Sequence, residues 1–218
     1  MDIKLEGQQV RGVRLLSGPE AKSRRAILNK LMEVASYRGY EEVFLPSVEP
    51  FSIYEEKTGK EIESQMYVFP DRKDRKLCLR PEGTATCQLL ARTIWKNHKD
   101  VKIFYEARCW RYERPQAGRY REFTQFGVEW LWPRNPEEAG KMLIELAAEM
   151  ILDVLKDEKL FEVAGSVKRG LAYYVKDGFE ISVPSLGAQK QVVGGGAYSE
   201  GVGFAIGVDR LMEVFPVS

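Results

Sequence analysis

The segment Phe123-Thr124-Gln125-Phe126-Gly127-Val128-Glu129-Trp130 carries the first pattern with chemical meaning. Side chains alternate along a strand, so Gln125, Gly127 and Glu129 share one face and Thr124, Phe126, Val128 and Trp130 the other. A polar face interrupted by a glycine reads as a pocket floor; taken alone, the segment also fits a half-exposed strand with its polar residues turned to water. The preceding run, Ile103 to Arg114, puts Arg111 and Glu113 on a common side, and the loop that follows adds Arg119 and Arg121. Guanidinium groups bind phosphate oxygens bidentately, so this cluster suits a phosphate-rich ligand, the competing reading being a solvated charged hairpin edge. His98 is the one histidine, in Trp95-Lys96-Asn97-His98-Lys99, where it reads as a surface residue at a helix end. Cys78, Cys87 and Cys109 follow no metal-ligand spacing and read as packed, reduced thiols. Metal-hydrolase and Ser-His-Asp schemes therefore lack their usual parts, and the chemistry must rest on Arg, Glu, Gln and Tyr.

The elements that must hold these residues are legible from periodicity. Ser17-Gly18-Pro19-Glu20 opens a helix whose apolar positions Ile27, Leu28, Leu31, Val34 and Ala35 keep helical spacing until Gly39. Val43–Pro46 reads as a short strand, with further strands at Met66–Phe69 and Leu77–Leu79 and a helix over about Thr84 to Trp95. Residues 102 to 132 are rich in β-formers around Pro115-Gln116-Ala117-Gly118, which predicts two long antiparallel strands joined by a polar loop. Asn135, followed by Pro136, Glu137 and Glu138, caps a helix with the stripe Leu143, Leu146, Ala147, Met150, Ile151, Val154 and Leu155. Short strands are expected around Phe161–Val163, Leu171–Tyr174 and Phe179–Val183, and a last element over Val202 to Phe215. With neither a GxGxxG nor a Walker loop, the pattern is α+β around a mainly antiparallel sheet flanked by helices, and any nucleotide site is of another kind.

Here the residues meet a known family. The stretch Arg111-Tyr112-Glu113-Arg114-Pro115-Gln116-Ala117-Gly118-Arg119-Tyr120-Arg121-Glu122-Phe123-Thr124-Gln125 closely resembles motif 2 of class II aminoacyl-tRNA synthetases in their histidyl form. Gly203-Phe204-Ala205-Ile206-Gly207-Val208-Asp209-Arg210-Leu211 is similar to motif 3, within about 202–215, and Arg11-Gly12 to Pro46 resembles motif 1. Motif 2 extends over about 103–132. Leu79-Arg80-Pro81-Glu82-Gly83-Thr84 is similar to the family segment whose glutamate holds the substrate's α-ammonium group. Arg169-Gly170-Leu171-Ala172-Tyr173-Tyr174 resembles the histidyl signature, and Leu186 to Tyr198 its archaeal-type continuation. The resemblance implies one class II catalytic domain over residues 1–218. Arg111, Arg169 and Arg210 are then the catalytic cations, and Arg111, Glu113, Arg119 and Arg210 bind ATP. Histidine is held by Glu82, Gly83, Thr84, Gln125, Glu129, Tyr173 and Tyr174. Magnesium accompanies ATP, with ligands left open; the acceptor end of tRNA(His) is the second partner, and motif 1 makes a homodimer.

The chain also departs from that pattern. No counterpart of the family's inserted domain stands between Leu155 and Arg169, Ser199-Glu200-Gly201 replaces a longer loop, and no anticodon-binding domain follows Phe215. After Tyr174 the family's small polar residue and glycine are replaced by Val175-Lys176-Asp177-Gly178, and Leu15 stands where an acidic residue is common. Two other readings stay open: a non-catalytic paralogue serving as regulatory subunit of ATP phosphoribosyltransferase, and a histidine ligase with a non-tRNA acceptor. Thirty-three basic against thirty-two acidic residues leave a net charge of +1, so RNA contact must be local. With no apolar run long enough to span a bilayer and no signal core, a cytoplasmic protein is expected.

Overall fold

The computed structural model describes residues 10–55, 59–167, 174–175 and 178–215. In chain order these form α1 (Gly18–Tyr37), β1 (Glu41–Glu42), β2 (Val48–Pro50), α2 (Ser52–Glu55), α3 (Gly59–Ser64), β3 (Val68–Pro70), β4 (Lys76–Leu79), α4 (Thr84–Thr93), β5 (Val101–Trp110), β6 (Glu122–Leu131), α5 (Pro136–Leu155), β7 (Glu162–Val167), β8 (Gly178–Ser182), β9 (Gln191–Tyr198), β10 (Gly201–Gly207) and α6 (Val208–Met212).

The long hairpin is the spine. β5 and β6 pair antiparallel from Val101 opposite Leu131 to Trp110 opposite Glu122. β10 adds to the free edge of β6, β9 to β10, and so on outward, giving a seven-stranded sheet in the order β1-β5-β6-β10-β9-β8-β7. Every pairing is antiparallel except β1 with β5. The class is α+β, as the sequence pattern predicts.

Alternation along the strands divides the interior. Phe104, Phe126, Val128, Phe204 and Ile206 face one way and pack under α1, α5 and α6. α5 contributes the stripe expected from its spacing, Leu143 to Leu155, all buried; each such side chain is worth about 1.5–3 kcal/mol of transfer free energy. Its cap is also as expected, with Asn135 Oδ1 accepting from the Glu138 amide at 3.3 Å. Ile103, Tyr105, Ala107 and Cys109 face the other way, against Cys87 and Ala91 of α4. The small sheet β2-β4-β3, with α2, closes a satellite core of Phe51, Tyr54, Met66, Cys78 and Ala85 beside the start of α4.

One sequence expectation moves along the chain, and another falls mostly outside the described residues. The strand expected at Val43–Pro46 lies earlier, at Glu41–Glu42; only the Val43 amide still reaches the Phe104 carbonyl, at 2.9 Å, before the chain leaves the sheet with Phe44 86% exposed. Pro46, which has no amide to pair, instead offers its carbonyl to Arg80. Of the strand expected at Leu171–Tyr174, residues 171–173 lie outside the described ones, and Tyr174 makes an antiparallel bridge to Tyr198. His98 is exposed after α4, and the three cysteines are buried and unpaired with one another. Among the described residues no helix is long and apolar enough to cross a membrane.

Candidate functional site

The floor of the site is built where β6, β10 and β9 present small residues in register. Gln125 stands opposite Gly207, Gly127 opposite Ala205, and Glu129 opposite Gly203. One strand further, Gly194 and Gly196 lie opposite Ala205 and Gly203. The missing side chains are used: a Cβ on Gly127 would stand 2.0 Å from Tyr105 Cζ, and one on Gly203 1.6 Å from Glu129 Oε2. The glycines thus admit a phenol and a carboxylate under the cavity.

Glu129 is fully buried. Its carboxyl accepts from Thr84 Oγ1 at 2.8 Å, Tyr105 OH at 3.2 Å and Tyr198 OH at 2.6 Å. Burial pushes this carboxyl up to about 8; bonds from Tyr198, Thr84 and Tyr105 oppose the shift, and the Glu82 charge adds to it. The same burial, reinforced by Glu129, raises the Tyr105 and Tyr198 phenols.

Glu82 sits where the chain enters α4. Its two oxygens accept from the amides of Thr84 at 2.7 Å and Ala85 at 2.9 Å, so a carboxylate satisfies the otherwise unpaired donors at the helix start. The same cavity is lined by cations. Arg111 donates from Nε to the Pro81 carbonyl at 2.9 Å and lies 5.3 Å from the Phe123 ring centre. Arg119 pairs with Glu113, and Arg121 donates to the Glu113 carbonyl at 3.1 Å. Arg210, on α6, donates to the carbonyls of Gly118 and Gln191 and, at 3.3 Å, to Gln189 Oε1. Burial lowers its affinity for the proton, and Arg119 and Arg111 lower it further while Glu113 opposes them. Cations held this close, against mainly neutral acceptors, favour a polyanionic guest. α6 is itself anchored by Asp209, which accepts from the Thr124 amide at 2.6 Å and Arg14 at 2.5 Å.

These groups surround a cavity of about 450 Å³. Of the residues singled out by sequence, Glu82, Thr84, Arg111, Glu113, Arg119, Gln125, Tyr174 and Arg210 line it. Gly83 and Glu129 lie beneath the lining, Gly83 with its α-carbon against the Tyr105 ring. Arg169 and Tyr173 fall outside the described residues. The cavity also takes in Gln65, Tyr120, Phe123, Gln189, Gln191 and Asp209, which sequence reasoning did not select. Tyr120 and Phe123 flank the arginines of the hairpin loop and Asp209 precedes Arg210, so proximity to the motifs was a usable signal; nothing of the kind marked Gln65.

Residues 12–160 match the model of the histidyl-tRNA synthetase family. The chain belongs to that family. The histidine–tRNA ligase of Methanocaldococcus jannaschii is 40% identical over 148 residues, which is 67% of this chain and 35% of that protein. The match therefore spans about a third of the length of that relative. Among solved structures, Staphylococcus aureus histidyl-tRNA synthetase superposes with a TM-score of 0.76 at 24% identity, covering 95% of this chain and 69% of that one. A Bacillus halodurans structure titled as an ATP phosphoribosyltransferase regulatory subunit/histidyl-tRNA synthetase superposes with a TM-score of 0.79 at 16% identity, covering 99% and 84%. At such identities these likenesses speak for the fold. In this histidyl-synthetase relative, the cleft lies on the face of the sheet that carries α4, and cations share its lining with a helix-bound carboxylate.

Proposed function

We propose that this chain activates histidine with ATP, forming histidyl-adenylate and pyrophosphate, and transfers the histidyl group to the acceptor end of tRNA(His). A single observation carries the reading: Arg111, Arg119 and Arg210 converge on the same cavity as Glu82 and Gln125. In the reaction, a histidine carboxylate oxygen attacks the α-phosphorus of ATP in line; the new P–O bond forms as the bond to the β-phosphate oxygen breaks. Negative charge gathers on the α-phosphate and the leaving pyrophosphate, where fixed guanidinium groups act without reorganising.

Arg111 takes the α-phosphate and the substrate carboxylate, Arg210 the nucleotide phosphates, and Arg119 the triphosphate tail. Arg169, by its place in the histidyl signature, is assigned to the α-phosphate. Glu82 holds the α-ammonium group. Gln125, Thr84, Tyr173 and Tyr174 give the imidazole its polar partners, with Glu129 beneath them acting through the Thr84 hydroxyl, and the wrong substrate leaves these groups unpaired. Magnesium would neutralise β- and γ-phosphate charge, and Glu113, which lines the cavity beside Arg119, is the carboxylate that would help to hold it there. A cytoplasmic homodimer paired through residues 11–46 completes the proposal.

A second reading is a regulatory partner of ATP phosphoribosyltransferase, the role that the B. halodurans structure is also named for; a histidine ligase with another acceptor is a third. Exchange of labelled pyrophosphate into ATP, run with each of the twenty amino acids, separates them. Exchange with histidine alone is expected. A folded chain showing none, while binding a phosphoribosyltransferase catalytic subunit, establishes the regulatory reading instead.

A further inference from the structure

Glu49 lies on β2 of the small sheet, does not line the cavity, and is 2% exposed. A carboxylate this deep is costly unless hydrogen bonds and nearby charge compensate its lost hydration. Its partners come from two other elements. Thr86, in the first turn of α4, has its hydroxyl 2.8 and 2.9 Å from the two Glu49 oxygens, and the Tyr54 phenol of α2 donates to the same carboxylate. That phenol oxygen is also 3.1 Å from Thr86 Oγ1 and 3.3 Å from the main-chain carbonyl of Glu82. A phenol has one hydrogen, so its approach to Glu82 is the weaker, shared arm. Burial pushes the Glu49 carboxyl upward, and the bonds from Tyr54 and Thr86, with the Arg80 charge, pull it back.

The geometry converges on one turn of one helix. Glu82 is aimed by the Thr84 and Ala85 amides it accepts from, and those amides belong to the turn that Thr86 ties to Glu49. We propose that Glu49 is a positioning residue for Glu82: through Thr86 and Tyr54 it fixes the carboxylate that takes the α-ammonium group of the substrate. The proposal rests on the histidine-activation reading. The small sheet is then a brace for amino-acid recognition as well as a packing unit, and displacement of the carboxylate by a fraction of an ångström is enough to weaken a charge-assisted contact.

The test compares two ligands that differ in the ammonium group, histidine and imidazolepropionate, by calorimetric titration of the whole chain. Thr86→Val keeps the side chain's shape and removes its hydroxyl. It is expected to weaken histidine about tenfold and imidazolepropionate less than twofold, with Thr86→Ser restoring the wild-type value. Glu49→Gln and Tyr54→Phe are expected to show the same split; if Thr86→Val does not fold, Tyr54→Phe carries the test. Equal losses for both ligands, or no loss for histidine in a folded variant, overturn the positioning role and leave the reading of the cavity intact. A wild-type chain that binds neither ligand overturns that reading, and this proposal with it.

Discussion

Glu129 holds an acid where an apolar side chain would be cheaper. Three neutral hydroxyls bond it and, among the described residues, no cation does so directly, so burial prevails and its proton is held up to about 8 rather than the ordinary 4.5. Across that interval the folded chain keeps a proton that the unfolded chain has released. Stability must then fall as pH rises from about 4.5 to about 8, by at most about 1.4 kcal/mol per pH unit, and level off above. Urea unfolding of the ligand-free chain at pH 5, 6, 7 and 8 measures the slope. Glu129→Gln, which titrates nowhere in the range, is expected to flatten it, and an unchanged slope in that variant places the proton elsewhere. Sequence alternation assigns Glu129 to the correct strand face, but alternation carries no information about depth. That Tyr105 and Tyr198 would stand over it depends on strands 24 and 69 residues away, respectively.

The glycines of β6, β9 and β10 act as an element-scale device, since they let a phenol and a carboxylate lie flat on a sheet that would otherwise be shingled with side chains. At Gly127 the consequence is measurable. A methyl group there meets the Tyr105 ring at 2.0 Å, and the ring is held from the other side by Gly83, whose own added Cβ would stand 2.4 Å away. Gly127→Ala is expected to cost about 1–3 kcal/mol, as overpacking of a rigid core does. Tyr105→Leu made in that background is expected to cost less than in the wild type, and a double-mutant cycle of unfolding free energies reads the coupling. Additive costs contradict the clash. The hairpin and α1 were legible from their periods alone, and α5 from a period and a cap that agree. β1 was displaced because two residues in a parallel edge pairing are set by β5 rather than by their own propensity. Glu82 shows a third limit: the sequence marks it for a ligand, whereas its use of both oxygens to bond the start of α4 appears only once the helix is in place.

At the scale of the molecule, helices α1, α5 and α6 cover one face of the sheet, and the other face is left to α4, the small sheet and the cleft. The cleft draws its cations from separate parts of the chain, Arg111 and Arg119 from the hairpin and Arg210 from α6, and these repel one another when no anion is bound. A triphosphate should therefore act as a clamp between the hairpin loop and α6, stabilising the fold beyond what any single contact suggests. With a non-hydrolysable ATP analogue at about 100 times its Kd, mass action gives about 2.7 kcal/mol. For a domain of this size that corresponds to a rise in Tm of roughly 5–10 °C. Histidine added with the analogue is expected to raise Tm by more than the sum of the separate shifts, because phosphate neutralises Arg111 and Arg210 while the ammonium group engages Glu82 in the same cavity. Differential scanning calorimetry with each ligand alone and then both measures the three shifts. Strictly additive shifts mean that the two sets of charges are not coupled, and no shift with the analogue means that the arginines are not arranged for a triphosphate.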